Sequence, residues 1–222
     1  MDILGRFLAF QIEDLIYVII SIAIAFSVHE YAHAYVAYRF GDPTAKNAGR
    51  LTLNPLVHLD PLGTFLILFF GFGWARPVPV NRFMFSKPRL HGILTTVAGP
   101  VSNLLLAVIG AFLKYMTIVL FSPGILQESF FSFFHYFSYL NVLLFVFNLL
   151  PLPPLDGYRI IQDLLPHTTR VRFSRYEVYL QIIFLVIIVV PGLYRLTIGP
   201  VLYGGISFVF SGINTFFETL FF

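Results

Sequence analysis

Residues 29–33 read His-Glu-Tyr-Ala-His, inside an apolar stretch long enough to cross a lipid bilayer. On a helix, His29 and His33 lie four residues apart on one face, with about 6 Å of rise between them. Two imidazoles so placed can grip one metal ion, and Glu30 beside them can serve as general base at the open coordination position. Three ionisable side chains buried in lipid cost on the order of several kcal/mol unless something pairs with them. A zinc ion would do so. With six His in 222 residues, random shuffling yields this motif with a probability of only about 0.004.

Composition narrows the class. Hydrophobic residues make up 58% and charged residues 11% of the chain, with a mean hydropathy of +0.83. A soluble domain carries about 25% charge, so the sequence reads as an integral membrane protein. The net charge of +3 is spread over short loops, which excludes a nucleic-acid-binding patch. The chain has no cysteine, so a zinc site must be built from His, Asp, Glu and water. The start, MDILGRFLAF, lacks a basic n-region and a cleavage site and is not read as a removable signal peptide.

The pattern predicts an all-α polytopic membrane protein that forms a single unit over 1–222. About five spans are expected, at 15–38, 91–116, 131–150, 177–195 and 199–221. A core over 15–165 holds the metal motif, and 166–222 adds two C-terminal transmembrane helices. The apolar run 64–74 is too short to span and contains Gly71 and Gly73, so it is expected to be re-entrant or interfacial. The Pro-punctuated segments 49–60 and 76–81 are expected to be short edge strands that could pair with an extended peptide. Lys and Arg gather in 39–89 and in 151–176, whereas 121–130 has none. The positive-inside rule then places both basic loops in the cytoplasm, provided 64–74 does not cross. The first helix and the 131–150 helix would run in the same direction, bringing His33 and residue 150 to one face.

At that face the chain reads Asn-Leu-Leu-Pro-Leu-Pro-Pro-Leu-Asp-Gly over 148–157. Three prolines stop the helix, and Asp156 precedes an amphipathic restart. Asp is a common helix N-cap, but a site with two His ligands and no Cys needs a third protein ligand, which favours Asp156 as metal-bound. Gly99, Asn103 and Asn141 read as close-packing and interhelical hydrogen-bond positions. His58, two residues from Asp60, could line the site, although a surface His–Asp pair is the commoner arrangement.

These pieces resemble the site-2 proteases, a family of intramembrane zinc metalloproteases. The matching motifs are HEYAH (29–33), AGPVSN (98–103) and NLLPLPPLDG (148–157), in that order. GRLTLNPLVHLDPLGT (49–64) and WARPVPVN (74–81) resemble a compact bacterial branch without PDZ or CBS domains. The resemblance implies that His29, His33 and Asp156 bind one zinc per chain and that Glu30 activates the attacking water. Asn148 would help hold the unwound substrate, with His58 as a further candidate contact. It implies hydrolysis of peptide bonds in or near transmembrane segments of membrane-protein substrates. The expected location is a bacterial inner membrane, with the site toward the cytoplasm; oligomeric state is left open. The competing readings are a divalent-metal transporter, which usually shows paired repeats that this sequence lacks, and a catalytically inactive membrane adaptor.

Overall fold

Prolines and charges, more than helix propensity, decide where the helices of this chain begin and end. The computed structural model describes residues 10–70 and 73–222. Residues 1–9 of the expected non-cleaved start, and Gly71 and Phe72 of the expected re-entrant run, lie outside the described residues. Seven helices carry the fold: α1 (Leu15–Arg39), α2 (Pro61–Phe70), α3 (Pro88–Leu120), α4 (Ile125–Asn148), α5 (Asp156–Leu164), α6 (His167–Val189) and α7 (Ile198–Phe221). Pro61 and Pro88 open α2 and α3 at the first helical position, where a missing N–H costs nothing. α4 stops at Asn148, just before Pro151, Pro153 and Pro154.

Among the described residues, four helices are long and apolar enough to cross a membrane: Ile12–Arg39, which includes α1, then α3, α4 and α7. The chain is an integral, multi-pass membrane protein. The expected fifth span at 177–195 is not among them. Pro191 ends α6 at Val189 and starts a separate short helix, Pro191–Leu196. The first half of α6 carries Arg170, Arg172, Arg175 and Glu177, so only Val178–Val189 is free of charge. That is too short to span about 30 Å of hydrocarbon.

The expected edge strands are corrected too. Among the described residues there is no sheet, only an isolated antiparallel bridge between Leu59 and Ala75. Pro55 nucleates a helical turn, Pro55–His58, and Pro77 and Pro79 remove the donors a ladder would need across 76–81. What remains of the strand reading is an extended strip from Trp74 to Asn81. The bridge, and a bond from Arg76 N to His58 O of 2.7 Å, bring together the two ends of the excursion through α2. A Cβ on Gly63 would lie 2.9 Å from Trp74 N, so only glycine lets the returning chain pass there. Ten residues of α2 rise about 15 Å, half the hydrocarbon thickness.

α1, α3 and α4 pack against one another. Ser138 of α4 donates to Ala107 O of α3 at 2.8 Å, and Tyr136 donates to Asp14, just ahead of α1, at 2.6 Å. Gly110 permits this approach, since a Cβ there would meet Ser138 N at 3.1 Å. Val18, Ile22 and Phe26 of α1 pack with Leu140 of α4 and Ile67 of α2. A second cluster joins Ala107, Val142, Leu150, Leu155, Phe184, Ile198, Leu202 and Ile206, which ties α6 and α7 to the core. α1 and α4 therefore run in parallel, with α3 opposed. The second half of α1, the first half of α3 and the chain leaving α4 meet at one level, and that is where the chemistry-bearing residues collect.

Candidate metal centre and active-site cleft

His29 and His33 present their Nε2 atoms to each other at 3.0 Å, and Asp156 Oδ2 lies 3.1 Å from the first and 3.2 Å from the second. All three side chains are buried. The opposite ring nitrogens settle which atoms carry hydrogen. His33 Nδ1 is 2.8 Å from Thr95 O, and a carbonyl can only accept, so His33 donates from Nδ1. His29 Nδ1 is 2.6 Å from Asn103 Oδ1. The Asn103 amide nitrogen is itself engaged with Ala25 O at 3.3 Å and Asn141 Oδ1 at 2.9 Å, so its oxygen must accept from His29. Both Nε2 atoms then point lone pairs at each other and at the Asp156 oxygen, which has no hydrogen-bond donor. One proton could bridge a pair of these atoms but not all three. A cation satisfies the triangle at once, and its 3.0–3.2 Å edges approach the roughly 3.3 Å expected between tetrahedral zinc ligands about 2.0 Å from the ion.

The Asp156 carboxylate does not cap α5. The N-cap is Leu155, Asp156 is the first helical residue, and no side-chain cap bond forms. The prolines deliver α5 into the site, and Gly157 lets it pack against the end of α4, where a Cβ would sit 2.5 Å from Leu150 O. On the facing wall, Gly99 of α3 lies against the imidazoles. A Cβ there would be 2.6 Å from His29 Nε2 and closer still to His33. Gly99→Ala is therefore expected to displace both rings and cut zinc affinity by at least tenfold, with the bundle intact. Chelator competition on purified protein checks this, and affinity equal to wild type would refute it.

Glu30 lies beside the triangle, and its Oε2 accepts from Val78 N at 2.8 Å. The strip bearing Val78 is tied down on both sides. Arg50, buried, donates to Arg76 O and Pro77 O. Asp42, fully buried, accepts from Asn81 N at 2.6 Å and from Thr44 N at 2.9 Å. A cleft of about 870 Å³ opens over the site, lined by Glu30, Trp74, Val78, Asn148, Asp156 and Phe184 among others. Its polar end holds Arg82, Arg159, Gln162 and Glu177. There Asp163 accepts from Arg82 and pairs with Arg170 at 3.2 Å. Burial pushes the Asp163 carboxyl up against the pull of both arginines, and burial also lowers Arg82.

The structure thus brings together His29, Glu30, His33, Asp156 and Asn148. It leaves His58 out: the ring is fully buried, bonds Thr52 O at 2.7 Å and does not line the cleft. Asp60 is not its partner, accepting instead from Gly63 N at 2.8 Å. Sequence reasoning took Gly99, Asn103 and Asn141 for close-packing and interhelical hydrogen-bond positions, which the Asn103–Asn141 bond fits, but did not place them against the histidines, and it missed Arg50 and Asp42. The one-turn spacing of Gly99 and Asn103 was the available signal; nothing local marks Arg50 or Asp42.

Comparison with known proteins agrees with the geometry. The family model described as "Peptidase family M50" matches residues 116–191. The chain is 50% identical to "Putative zinc metalloprotease YwhC" of Bacillus subtilis (strain 168), over 98% of its own length and 100% of that protein. The chain belongs to peptidase family M50, the site-2 proteases. "Putative zinc metalloprotease Rip2" of Mycolicibacterium smegmatis is 31% identical, over 85% of this chain and 71% of the relative. "Putative zinc metalloprotease MJ0611" of Methanocaldococcus jannaschii is 31% identical, over 69% of this chain and 73% of the relative. No solved structure matches significantly. As in the family, the cofactor is zinc, and the buried two-nitrogen, one-oxygen triangle suits it.

Proposed function

We propose that the chain is an intramembrane zinc metalloprotease that hydrolyses peptide bonds within or near transmembrane segments of other membrane proteins. His29, His33 and Asp156 hold one zinc ion, Glu30 is the general base and Asn148 contacts substrate. The observation that carries the reading is the buried triangle of three lone-pair atoms with a carboxylate one residue away. When bound, zinc lowers the pKa of a water to about 7 and polarises the scissile carbonyl.

The chain's own groups do the rest. Glu30 keeps one oxygen on Val78 N–H and leaves the other to take the water's proton and pass it to the leaving amine. A peptide bond in a membrane helix is protected by its own hydrogen bonds, so the substrate must be locally extended. Asn148 bonds Leu144 O at 2.9 Å through its amide nitrogen, and its side-chain oxygen suits a freed backbone N–H of the substrate. The Trp74–Asn81 strip offers extended backbone on the other side of the cleft.

The test is purified protein in detergent. One zinc per chain and cleavage of a generic membrane-spanning substrate are expected; zinc-loaded wild type that cleaves no better than Glu30→Gln would overturn the reading.

The host membrane is a bacterial inner membrane, and the site faces the cytoplasm. The basic residues of 39–89 and 151–176 support this orientation, since both segments flank the site. Single cysteines at exposed Ser86 and Ser122 can be read cleanly in this cysteine-free chain. An impermeant thiol reagent added outside intact cells is expected to label position 122 and spare position 86. Labelling of both, or the reverse pattern, would refute the orientation.

A further inference from the structure

Hydrogen-bond polarity reaches the metal centre from α4 through two buried amides. Asn141 and Asn103 are both fully buried where α1, α3 and α4 meet. Asn141 Nδ2 donates to Phe137 O at 2.8 Å, which turns its side-chain oxygen toward α3. That oxygen accepts from Asn103 Nδ2 at 2.9 Å, and the same nitrogen donates to Ala25 O at 3.3 Å. Asn103 Oδ1 is thereby left facing His29 Nδ1 at 2.6 Å. Rotating the Asn103 amide by a half-turn would set oxygen against two acceptors and nitrogen against the imidazole N–H, so one orientation survives. His33 has no such device and relies on a backbone carbonyl, Thr95 O.

We infer that Asn141 and Asn103 form a positioning relay that fixes the His29 tautomer and ring angle, holding its Nε2 lone pair on the zinc ion. The relay rests on the zinc-site reading above and deepens it. Neither residue touches metal or substrate. Both act through His29, as outer-shell partners of metal-bound histidines do, at about 10–100-fold in affinity. Asn103 contributes the acceptor. Asn141 contributes only direction, so without it Asn103 can flip and present a donor.

The test is zinc affinity of purified protein by competition with a chromophoric chelator, which needs no turnover. Asn103→Leu is expected to weaken zinc binding by about 10–100-fold. Asn141→Leu is expected to weaken it by about tenfold, the lower end of that range. In Asn103→Asp one oxygen keeps the acceptor on Nδ1, and the buried side chain held as the neutral acid can donate from its hydroxyl to Asn141 Oδ1 as the amide does, so affinity is expected to stay within about threefold of wild type. A packing role alone would leave Asn103→Leu, similar to asparagine in size and branching, at wild-type affinity as well. Wild-type affinity in Asn141→Leu, or a tenfold or greater loss in Asn103→Asp, overturns the relay. If Asn103→Leu does not fold, these two variants decide the question. Unchanged zinc binding in His29→Ala would instead sink the metal-site reading itself, so the two failures are distinguishable.

Discussion

Glu30→Gln is expected to remove peptide-bond hydrolysis and to leave the zinc in place. Glutamine keeps the size of the side chain and an oxygen that can accept from Val78 N, so the strip from Trp74 to Asn81 stays docked. What is lost is the ability to take a proton. A positioned general base contributes about 10²–10⁴-fold, and here the same group must also return the proton to the leaving amine, so the upper end is expected. None of the three atoms of the triangle belongs to Glu30, so metal content should match wild type. Metal analysis and cleavage of a membrane-spanning substrate, on the same preparation, check both halves. Turnover near wild type, or loss of most of the zinc, would remove Glu30 from this role.

How far the sequence spoke depended on whether a feature was local. HEYAH put two candidate ligands on one helical face with a candidate base beside the first because all three residues sit within about one turn, and the membrane setting made idle charge expensive. The same logic found α1, α3, α4 and α7, whose apolar runs exceed the bilayer thickness. It failed at 177–195 because a window average hides a charged start and a proline stop. Arg175 and Glu177 lie inside α6, and Pro191 cuts it at Val189. Residues 76–81 alternate like a strand, yet Pro77 and Pro79 leave too few donors for a ladder, and one bridge at Ala75 is all that forms.

The second tier of the site was illegible for a related reason. Asn103, Asn141, Asp42 and Arg50 act across 78, 38, 39 and 26 or 27 positions of sequence, and a lone buried amide looks the same whether it packs a helix or aims a histidine. His58 shows the opposite error. Its neighbour Asp60 suggested a pair, but the turn at Pro55–His58 aims the ring at Thr52 O and Asp60 at Gly63 N. Two residues of separation cross a bend in the chain, and proximity in sequence misled.

Asp156→Ala is expected to abolish zinc binding at working concentrations and cleavage with it. The alternative role, a helix N-cap, predicts a different pattern: about 0.5–2 kcal/mol of lost stability with metal and activity retained. The structure bears on the choice because the N-cap of α5 is Leu155, with Asp156 already the first helical residue. Among the described residues its Oδ2 has no hydrogen-bond donor, and the two imidazole nitrogens lie 3.1 and 3.2 Å from it. Loss of a direct ligand should exceed the about 10–100-fold that outer-shell partners cost. Thermal unfolding separates the readings most cleanly. A ligand that binds only the folded state at 100 times its dissociation constant stabilises by about 2.7 kcal/mol, so wild type should show a clear zinc-dependent rise in Tm. The variant should show none, while its zinc-free Tm should not fall, since an unpaired buried carboxylate oxygen has been removed rather than a cap. A variant with a lower Tm, an intact zinc shift and normal cleavage would make Asp156 a structural residue, and the third ligand would have to be sought elsewhere in the cleft.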